Sequence, residues 1–332
     1  MRFLVLLCLL FTAGSSKNEW KRYSITGLAQ GTTYAVVYYA NDSSVTQQQV
    51  DSILKSLDQS LSLYQPNSLI NQFNQSAKGL ALDRHLLKVI KASLATYKST
   101  NGLFDATVFP LVEAWGFAVK KMNSIPDSST VHSLQSCVNS KWLYLKGNYL
   151  YKQKPCIKID LNGIAQGYSV DVLAAFLESK NIHHYLVEIG GEIRVKGRKQ
   201  PSNEKMKIGI ESPALGLFDE HPLQKIVTID EGAITTSGSY RRYHETKGQK
   251  ITHIINPRTG YPQQNELISV TVYAKDAMTA DAYDNAFMLM GLQQALAFVE
   301  KRKDLAAYFI YRKNNGEIAD TASAGFLKLF SL

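Results

Sequence analysis

The segment Thr279–Gly291, T-A-D-A-Y-D-N-A-F-M-L-M-G, constrains the fold more than any other part of the chain. Its Ala, Tyr, Phe, Met and Leu residues are typical of a buried helix. Asp281, Asp284 and Asn285 are three and four residues apart, so a helix places them on one face. Buried carboxylates need a positive partner, and Mg²⁺ held together with a ligand's phosphates would satisfy them. The alternative is that these acidic groups only complement the helix dipole.

Composition and charge exclude some classes of partner. The 332-residue chain is 45% hydrophobic and has a formal net charge of +9. A positive balance suits an anionic ligand or a membrane surface. There is no dense stripe of Lys and Arg, so no nucleic-acid partner is expected. No segment after the N-terminus has eighteen apolar residues in a row, so the protein is expected to be soluble or peripherally associated with a membrane.

The N-terminus has the pattern of a secretory signal peptide. Arg2 is basic, Phe3–Phe11 is an apolar run, and Ala13-Gly14-Ser15 resembles a cleavage site. Residues 1–16 are therefore expected to be a signal peptide and the rest of the chain to be exported. An oxidising compartment permits a disulfide between the two remaining cysteines, Cys137 and Cys156. The sequence does not establish whether their geometry allows one.

Helices and strands are predicted in a mixed order. Helical periodicity covers Thr46–Leu63, Leu80–Ser99, Thr130–Ser136, Gly163–Lys180, the opening segment and Leu292–Arg302. Strand patterns cover Tyr23–Tyr39, Cys156–Ile159, His184–Ile189, Ile193–Val195, Lys207–Ile210, Ile226–Ile229, Ala233–Thr236, Leu267–Ala274 and Ala306–Tyr311, with a hairpin at Trp142–Tyr151. Helices and strands do not alternate strictly, which favours an α+β fold over a doubly wound sheet. No linker marks a boundary, so residues 17–332 are expected to form one domain.

Further segments carry groups suited to chemistry. In Asp160–Tyr168, D-L-N-G-I-A-Q-G-Y, a turn leads into a helix, and such a junction presents backbone amides to a phosphate. Gly163 also offers its carbonyl to a metal, although glycines here equally suit close helix packing. His253 is suited to act as a general base, with a structural role in its turn as the alternative. Tyr64 is a candidate for stacking on a planar ring.

Eight motifs occur in a fixed order along the chain. They are G-T-T-Y at 31–34, S-L-Y at 62–64, G-L-F-D-A-T-V at 102–108, D-L-N-G-I-A-Q-G-Y at 160–168, E-I-G-G-E-I at 188–193, T-S-G-S-Y at 236–240, H-I-I-N-P-R-T-G-Y-P at 253–262 and A-D-A-Y-D-N at 280–285. Together they resemble the ApbE family of exported FAD:protein FMN transferases. The resemblance covers nearly all of the chain after the signal. It implies an α+β fold with a T-fold-like core, in which helices pack on mixed sheets.

The resemblance also implies a reaction. Family members use Mg²⁺, split FAD at its pyrophosphate, attach FMN through a phosphoester bond to a Ser or Thr of a target flavoprotein, and release AMP. The targets are typically subunits of membrane redox complexes, such as the sodium-pumping NADH:quinone reductase and the related Rnf complex. The implied location is the periplasm or the outer face of the bacterial inner membrane.

Carried over by position, the resemblance implies three sets of site residues. The metal would be held by the Gly163 carbonyl, Asp281, Asp284 and Asn285. FAD would contact Gln30, Tyr64, Leu103, Phe104, Asp105, Asp160, Gln166 and Ile255. The catalytic residues would be His253, which helps to deprotonate the acceptor hydroxyl, and Asp281, which acts through the metal.

Three positions depart from the common family pattern. Asn285 stands where many members have Thr, Asn256 where the sequence H-I-I-D-P is common, and Gln166 where Lys or Glu is frequent. An amide oxygen can still ligate a hard cation, so a working but altered site is expected. Two alternative functions remain open at this point. One is an FAD pyrophosphatase that yields FMN and AMP without an acceptor, and the other is an FAD-binding protein without catalysis.

Overall fold

The computed structural model describes residues 19–119, 124–212, 223–239, 243–246 and 249–330. The signal peptide predicted at residues 1–16 therefore lies outside the described residues. Within the described ranges, no helix has both the length and the apolar character needed to cross a membrane.

The described residues form fifteen strands and nine α-helices. The strands are β1 (Lys21–Ala29), β2 (Thr32–Ala40), β3 (Gly79–Ala81), β4 (Leu143–Lys146), β5 (Tyr149–Lys152), β6 (Tyr185–Ile189), β7 (Glu192–Lys196), β8 (Met206–Glu211), β9 (Leu223–Ile229), β10 (Glu231–Gly238), β11 (Tyr243–Thr246), β12 (Gln249–Thr252), β13 (Leu267–Ala274), β14 (Leu305–Arg312) and β15 (Ile318–Ala322). The helices are α1 (Gln47–Leu61), α2 (Leu69–Gln75), α3 (Arg84–Ser99), α4 (Phe109–Ala114), α5 (Ser128–Gln135), α6 (Ala165–Ser179), α7 (Ala277–Met290), α8 (Leu292–Val299) and α9 (Ala324–Leu327).

Eight strands form one antiparallel sheet in the order β1-β2-β6-β7-β10-β13-β14-β15. Successive side chains of a strand point to opposite faces, so each strand contributes to two layers. On one face, Val187 packs in the core that includes α1, α3 and α6, and Val272 packs against α7 and α8. On the other face, Val195 and Ile234 are covered by the β8–β9 hairpin. The central strands of the sheet are thus buried on both sides.

The mixed order of elements confirms the α+β expectation. The predicted helix at Thr46–Leu63 is α1, which begins with a capping box between Thr46 and Gln49. The segment Thr279–Gly291 lies in α7, and Gly291, with a φ of 76°, caps the C-terminus of that helix. The predicted hairpin at Trp142–Tyr151 is the β4–β5 pair.

Two element predictions are wrong. Leu80–Ser99 is not one helix, because Gly79–Ala81 pairs with β5 and α3 begins only after Asp83, which caps it by accepting from the Leu86 N–H. Cys156–Ile159 is not a strand. The backbone of Ile159 instead exchanges two hydrogen bonds with the side chain of Asn74 in α2, a helix that was not predicted.

A disulfide and an apolar cluster join the parts of the chain around α5. Cys137 and Cys156, which the sequence left unassigned, form a disulfide with their Cα atoms 5.6 Å apart. The bond links the end of α5 to the segment that precedes Asp160. Helices α4 and α5 also pack with Ile251 and Ile255, on either side of the predicted catalytic histidine.

Candidate active site

Helices α6 and α7 are in close contact at Gly167. A Cβ added to Gly167 would lie 2.6 Å from the carbonyl carbon of Ala277 and 2.8 Å from the Cβ of Asp281. Only glycine therefore allows the two helices to approach so closely. The Gly167 N–H donates to Asp281 Oδ2 at 2.9 Å, so the start of α6 orients the first carboxylate of α7.

The start of α7 is held by Asp171 of α6. Its carboxylate accepts from the N–H groups of Ala277 and Met278, at 2.9 Å each. The same carboxylate pairs with Arg194 of β7 at 2.6 Å. An anionic group at a helix N-terminus is stabilised by the helix dipole. Asp171 therefore fixes α7 relative to α6 and to the main sheet.

Asp281, Asp284 and Asn285 lie together on α7, as predicted, and Thr235 and Ser237 of β10 face them. Thr235 Oγ1 donates to Asp284 Oδ2 at 2.6 Å, and Asn285 Nδ2 donates to Asp284 Oδ1 at 2.9 Å. Ser237 Oγ donates to Asn285 Oδ1 at 3.4 Å. We refer to these five residues as the α7 cluster.

The α7 cluster concentrates buried acidic groups. Asp281 and Asp284 are only 3% and 1% exposed. Burial raises the pKa of Asp281 to about 7. Burial, and the charge of Asp281, raise the pKa of Asp284 well above its ordinary value. Among the described residues, neither carboxylate forms a salt bridge with Lys or Arg. A bound cation would offset both the burial and the mutual repulsion of the two groups.

Gly163 lies directly beside the α7 cluster. A Cβ added to Gly163 would lie 3.2 Å from the amide carbon and nitrogen of Asn285. The predicted ligand set is thus two carboxylates, one amide and one backbone carbonyl, and oxygen donors of this kind suit a hard cation. In the described part of the chain, no three His, Cys, Asp or Glu side chains come together as a metal-binding group. The structure therefore gathers the predicted ligands without showing a metal site.

Gln30 lies against α6, and Gln166 is in the first turn of that helix. Gln30 has a φ of 53° in the β1–β2 turn, and its Nε2 donates to Ser169 Oγ at 2.8 Å. A Cβ added to Gly190, in the β6–β7 turn, would lie 2.6 Å from Gln166 Nε2 and 2.9 Å from Thr32 Cγ2. Three motifs that are far apart in the sequence therefore meet at the first turns of α6.

Asp160 lies at the start of the turn that leads to Gly163. Its Oδ1 accepts from the Asn162 N–H at 2.8 Å, and burial raises its pKa to about 6. Its own N–H donates to the Ala106 carbonyl at 2.7 Å. Two segments predicted to contact FAD are thus joined through their backbones.

Asp105 has a structural function that the sequence did not indicate. Its carboxylate accepts four hydrogen bonds, from the N–H and hydroxyl of Thr107 and from those of Ser140. Leu103 and Phe104, also predicted to contact FAD, are buried at 8% and 7% exposure. The Asp105 carboxylate therefore fixes the loop that carries all three predicted contacts.

The remaining predicted residues lie at two other places. Tyr64 is in the α1–α2 loop and is 55% exposed, so its ring is accessible for stacking. His253 directly follows β12, and its ring lies edge-on to Phe117 with 6.3 Å between centroids. Ile255 is buried and forms a β-bridge with Pro262, which closes the histidine turn.

The histidine turn is stabilised from within and from α4. The amide of Asn256, where a carboxylate is common in the family, accepts from the Arg258 N–H at 2.9 Å. Trp115 Nε1 donates to the Gly260 carbonyl at 2.8 Å. Asparagine therefore supplies the turn with the acceptor that an aspartate would supply.

Sequence reasoning did not identify Thr235, Ser237 or Asp171 as site residues. Thr235 belongs to the predicted strand Ala233–Thr236, and Ser237 directly follows it. Their spacing of two residues in an apolar strand places both on one face, and this was the available signal. Nothing in the sequence indicates that Asp171 holds the start of a helix more than 100 residues later.

Comparison with known proteins agrees with this architecture. A family model described as the ApbE family matches residues 30–309. The FAD:protein FMN transferase of Vibrio cholerae serotype O1 is 34% identical over 335 residues, which cover 99% of this chain and 98% of that protein. The FAD:protein FMN transferase of Haemophilus influenzae is 33% identical and covers 98% of this chain and 96% of that protein.

Solved structures give the same result. The flavin transferase ApbE from Vibrio cholerae superposes with a TM-score of 0.83 at 31% identity, over 94% of this chain and all of that one. The flavinyl transferase ApbE from Pseudomonas stutzeri, in its apo form, superposes with a TM-score of 0.83 at 30% identity, over 94% of this chain and 98% of that one. The match of sequence and fold extends over nearly the whole chain, and the chain belongs to the ApbE family.

Proposed function

We propose that this chain is an FAD:protein FMN transferase. The observation that carries the proposal is the end-to-end similarity to relatives of that name, which covers 99% of this chain and 98% of the Vibrio cholerae protein. No part of either protein of substantial size is left without a counterpart. The proposed activity therefore rests on the whole fold and not on an isolated motif.

We propose Mg²⁺ as the metal and Gly163, Asp281, Asp284 and Asn285 as the residues that hold it. Burial raises the pKa values of the two carboxylates, and a bound cation would lower them again. When bound, Mg²⁺ would neutralise charge on the pyrophosphate of FAD and act as a Lewis acid. Asn285 would contribute its amide oxygen, since the amide can be turned about its terminal torsion.

The other predicted residues would position the two reactants. Tyr64 would stack on a planar ring of FAD, because its ring is exposed. Gln30, Gln166 and the 103–105 loop would contact the remainder of the nucleotide. His253 would take the proton of the acceptor hydroxyl as that oxygen attacks phosphorus and AMP leaves. A general base of this kind adds about 10²–10⁴-fold in rate.

The proposed acceptor is a Ser or Thr of a flavoprotein subunit in a membrane redox complex of the sodium-pumping NADH:quinone reductase or Rnf type. The proposed location is the periplasm or the outer face of the bacterial inner membrane, where peripheral association is compatible with the positive charge. The signal-peptide pattern of residues 1–16 supports export.

The decisive experiment supplies residues 17–332 with FAD, Mg²⁺ and a flavoprotein domain that carries an acceptor Ser or Thr. We expect fluorescent flavin to remain on the acceptor in a denaturing gel. Asp281→Asn should abolish the transfer. Asp276→Asn is the matched control, because Asp276 only caps the same helix and Asn caps equally well. Absence of covalent flavin on every acceptor tested would contradict the proposal.

The comparisons do not favour the two alternative functions, because the curated relatives are named transferases. A pyrophosphatase would convert FAD to FMN and AMP at the same rate with and without an acceptor. A non-catalytic binder would leave FAD intact under all conditions. Chromatography of the nucleotides from the same reaction separates these outcomes.

A further inference from the structure

Helix α2 lies between two residues that are proposed to contact FAD. Tyr64 is in the loop before α2, and Asp160 follows the segment Ile157–Ile159, which packs on its C-terminal end. Neither the loop nor the segment belongs to a sheet. Their backbones must therefore be fixed by other groups if the two contact residues are to keep a constant separation.

Asn71 of α2 holds the loop around Tyr64. Its Nδ2 donates to the carbonyl of Leu63 at 3.0 Å and to the carbonyl of Gln65 at 2.8 Å. These are the residues directly before and after Tyr64. One amide group thus fixes the backbone on both sides of a residue whose own side chain is exposed.

Asn74, one turn later in α2, holds the segment before Asp160 in the same manner. Its Nδ2 donates to the Ile159 carbonyl at 2.9 Å, and its Oδ1 accepts from the Ile159 N–H at 2.7 Å. Asn74 is only 7% exposed. The two bonds replace those that a neighbouring strand would provide, and Asp160 is the next residue.

Lys152 of β5 reinforces the link between α2 and this segment. Its ammonium donates to the Phe73 carbonyl at 3.2 Å and to the Ile157 carbonyl at 2.8 Å. It also lies over the Phe73 ring, 5.0 Å from its centroid. Lys152 is only 6% exposed, so these contacts are buried.

We propose that α2 is a positioning element for FAD, in which Asn71 and Asn74 set the distance between Tyr64 and the Asp160–Gly163 turn. Tyr64 would define the position of a ring of FAD, and the turn would define the position of its phosphates. Both positions are then fixed relative to one rigid helix, as accurate placement of reacting groups requires. The inference rests on the proposed function in one respect, since FAD is the ligand that is positioned.

Hydrogen exchange measured by mass spectrometry tests the structural part without any ligand. Asn74→Ala should increase exchange at residues 157–161, and Asn71→Ala should increase it at residues 62–66. Gln72→Ala is the matched control, because Gln72 lies between the two asparagines and is exposed, and within the described ranges its side chain bonds only to the Asn67 carbonyl. It should change neither region.

A fluorescence titration with FAD tests the functional part. Asn71→Ala and Asn74→Ala should each weaken FAD binding at least tenfold, while Gln72→Ala binds as the wild type does. If Asn74→Ala does not fold, Lys152→Met takes its place, because it removes one bridge to the segment and leaves the Asn74 bonds intact. It should increase exchange at residues 157–161 to a smaller degree and weaken FAD binding.

The results separate the two proposals. Unchanged exchange in the α2 variants, or increased exchange with unchanged FAD affinity, would overturn the positioning role even where the wild type transfers FMN. A wild type that binds FAD but transfers no FMN would contradict the proposed function alone. In that case the exchange pattern and the tenfold loss of affinity still support α2 as the element that positions FAD.

Discussion

Replacing Gly167 by alanine tests the close contact between α6 and α7. Ordinary contact to an added Cβ begins at 3.4 Å, whereas the carbonyl oxygen of Ala277 would be 2.3 Å away, so the helices must separate by about 1.1 Å. The Gly167 N–H to Asp281 bond, now 2.9 Å, would then exceed the range of a hydrogen bond. The substitution therefore perturbs both packing and the orientation of the carboxylate.

The expected loss of stability follows from these two effects. Overpacking of a filled core costs about 1–3 kcal/mol, and a hydrogen bond to a charged group contributes about 1.5–3 kcal/mol. The two costs do not simply add, because moving the helices apart relieves the overpacking but breaks the hydrogen bond. The better helix propensity of alanine returns at most about 1 kcal/mol. We expect the free energy of unfolding to fall by about 2 kcal/mol or more.

Urea unfolding followed by circular dichroism provides the measurement. Gly325→Ala is the control, because it is also a helical glycine but the nearest neighbours of its added Cβ would be the Ala306 Cβ, at 3.2 Å, and the Leu305 carbonyl oxygen, at 4.0 Å. That variant should lie within about 0.5 kcal/mol of the wild type. A Gly167→Ala protein as stable as the wild type would refute the reasoning, because it would show that α6 and α7 can separate without cost.

Three further predictions concern the site and its surroundings. Without divalent cations, the free energy of unfolding should fall as pH rises from about 4 to above 7, because the raised pKa values of Asp281 and Asp284 keep protons on the folded chain after the unfolded chain has lost them. Mg²⁺ should reduce this fall in urea unfolding, and equal slopes with Mg²⁺ and with EDTA would speak against a cation at the α7 cluster. Dithiothreitol should lower the Tm of the wild type but not of Cys137→Ser/Cys156→Ser, since closing a loop of this length contributes about 3 kcal/mol; an unaffected wild-type Tm would contradict this. Tyr64→Ala should keep the wild-type Tm because the ring is 55% exposed, yet weaken FAD binding by about 1–3 kcal/mol, the range for a planar base stacked on an aromatic ring. Tyr64→Phe should bind normally, and equal Kd values for Tyr64→Ala and the wild type would exclude stacking.

Long periodic segments were predictable because their own pattern decides their structure. The segment Thr279–Gly291 combined apolar composition with a three- and four-residue spacing, and α7 places its polar residues as that spacing requires. The α1 capping box was likewise encoded within four residues. In these elements local propensity and burial favour the same conformation.

The errors lie where a distant side chain replaces a regular partner. Cys156–Ile159 has the composition of a strand, but the amide of Asn74 provides its hydrogen bonds from 85 residues away. The helical periodicity of α3 extends back to Leu80, although Gly79–Ala81 forms a short strand that pairs with β5. The cap at Asp83 sets the true start of the helix. Helix α2 is short and rich in Asn and Gln, and its hydrogen bonds to two distant segments are invisible to periodicity.

The part of the site that lies on long periodic segments was predictable. The resemblance to a family identified which residues belong together, and the structure gathers Gly163, Asp281, Asp284 and Asn285 as expected. The function of the Asp105 carboxylate as the acceptor for Thr107 and Ser140 could not be predicted, because Ser140 is 35 residues away. Contacts of this kind depend on the folded backbone and leave no local pattern.

The strand order of the main sheet has a consequence for how the chain folds. Strand β2 ends at Ala40 and pairs with β6, which begins at Tyr185, so about 145 residues separate two neighbouring strands. Pairings of such high contact order slow folding, because the entropy of closing the loop is lost before the contacts form. During synthesis, one edge of β2 in the β1–β2 hairpin therefore stays unpaired until β6 has been made. An unpaired strand edge is a template for wrong association. We therefore expect the yield of folded protein to depend on how well the edge of β2 is protected until β6 pairs with it.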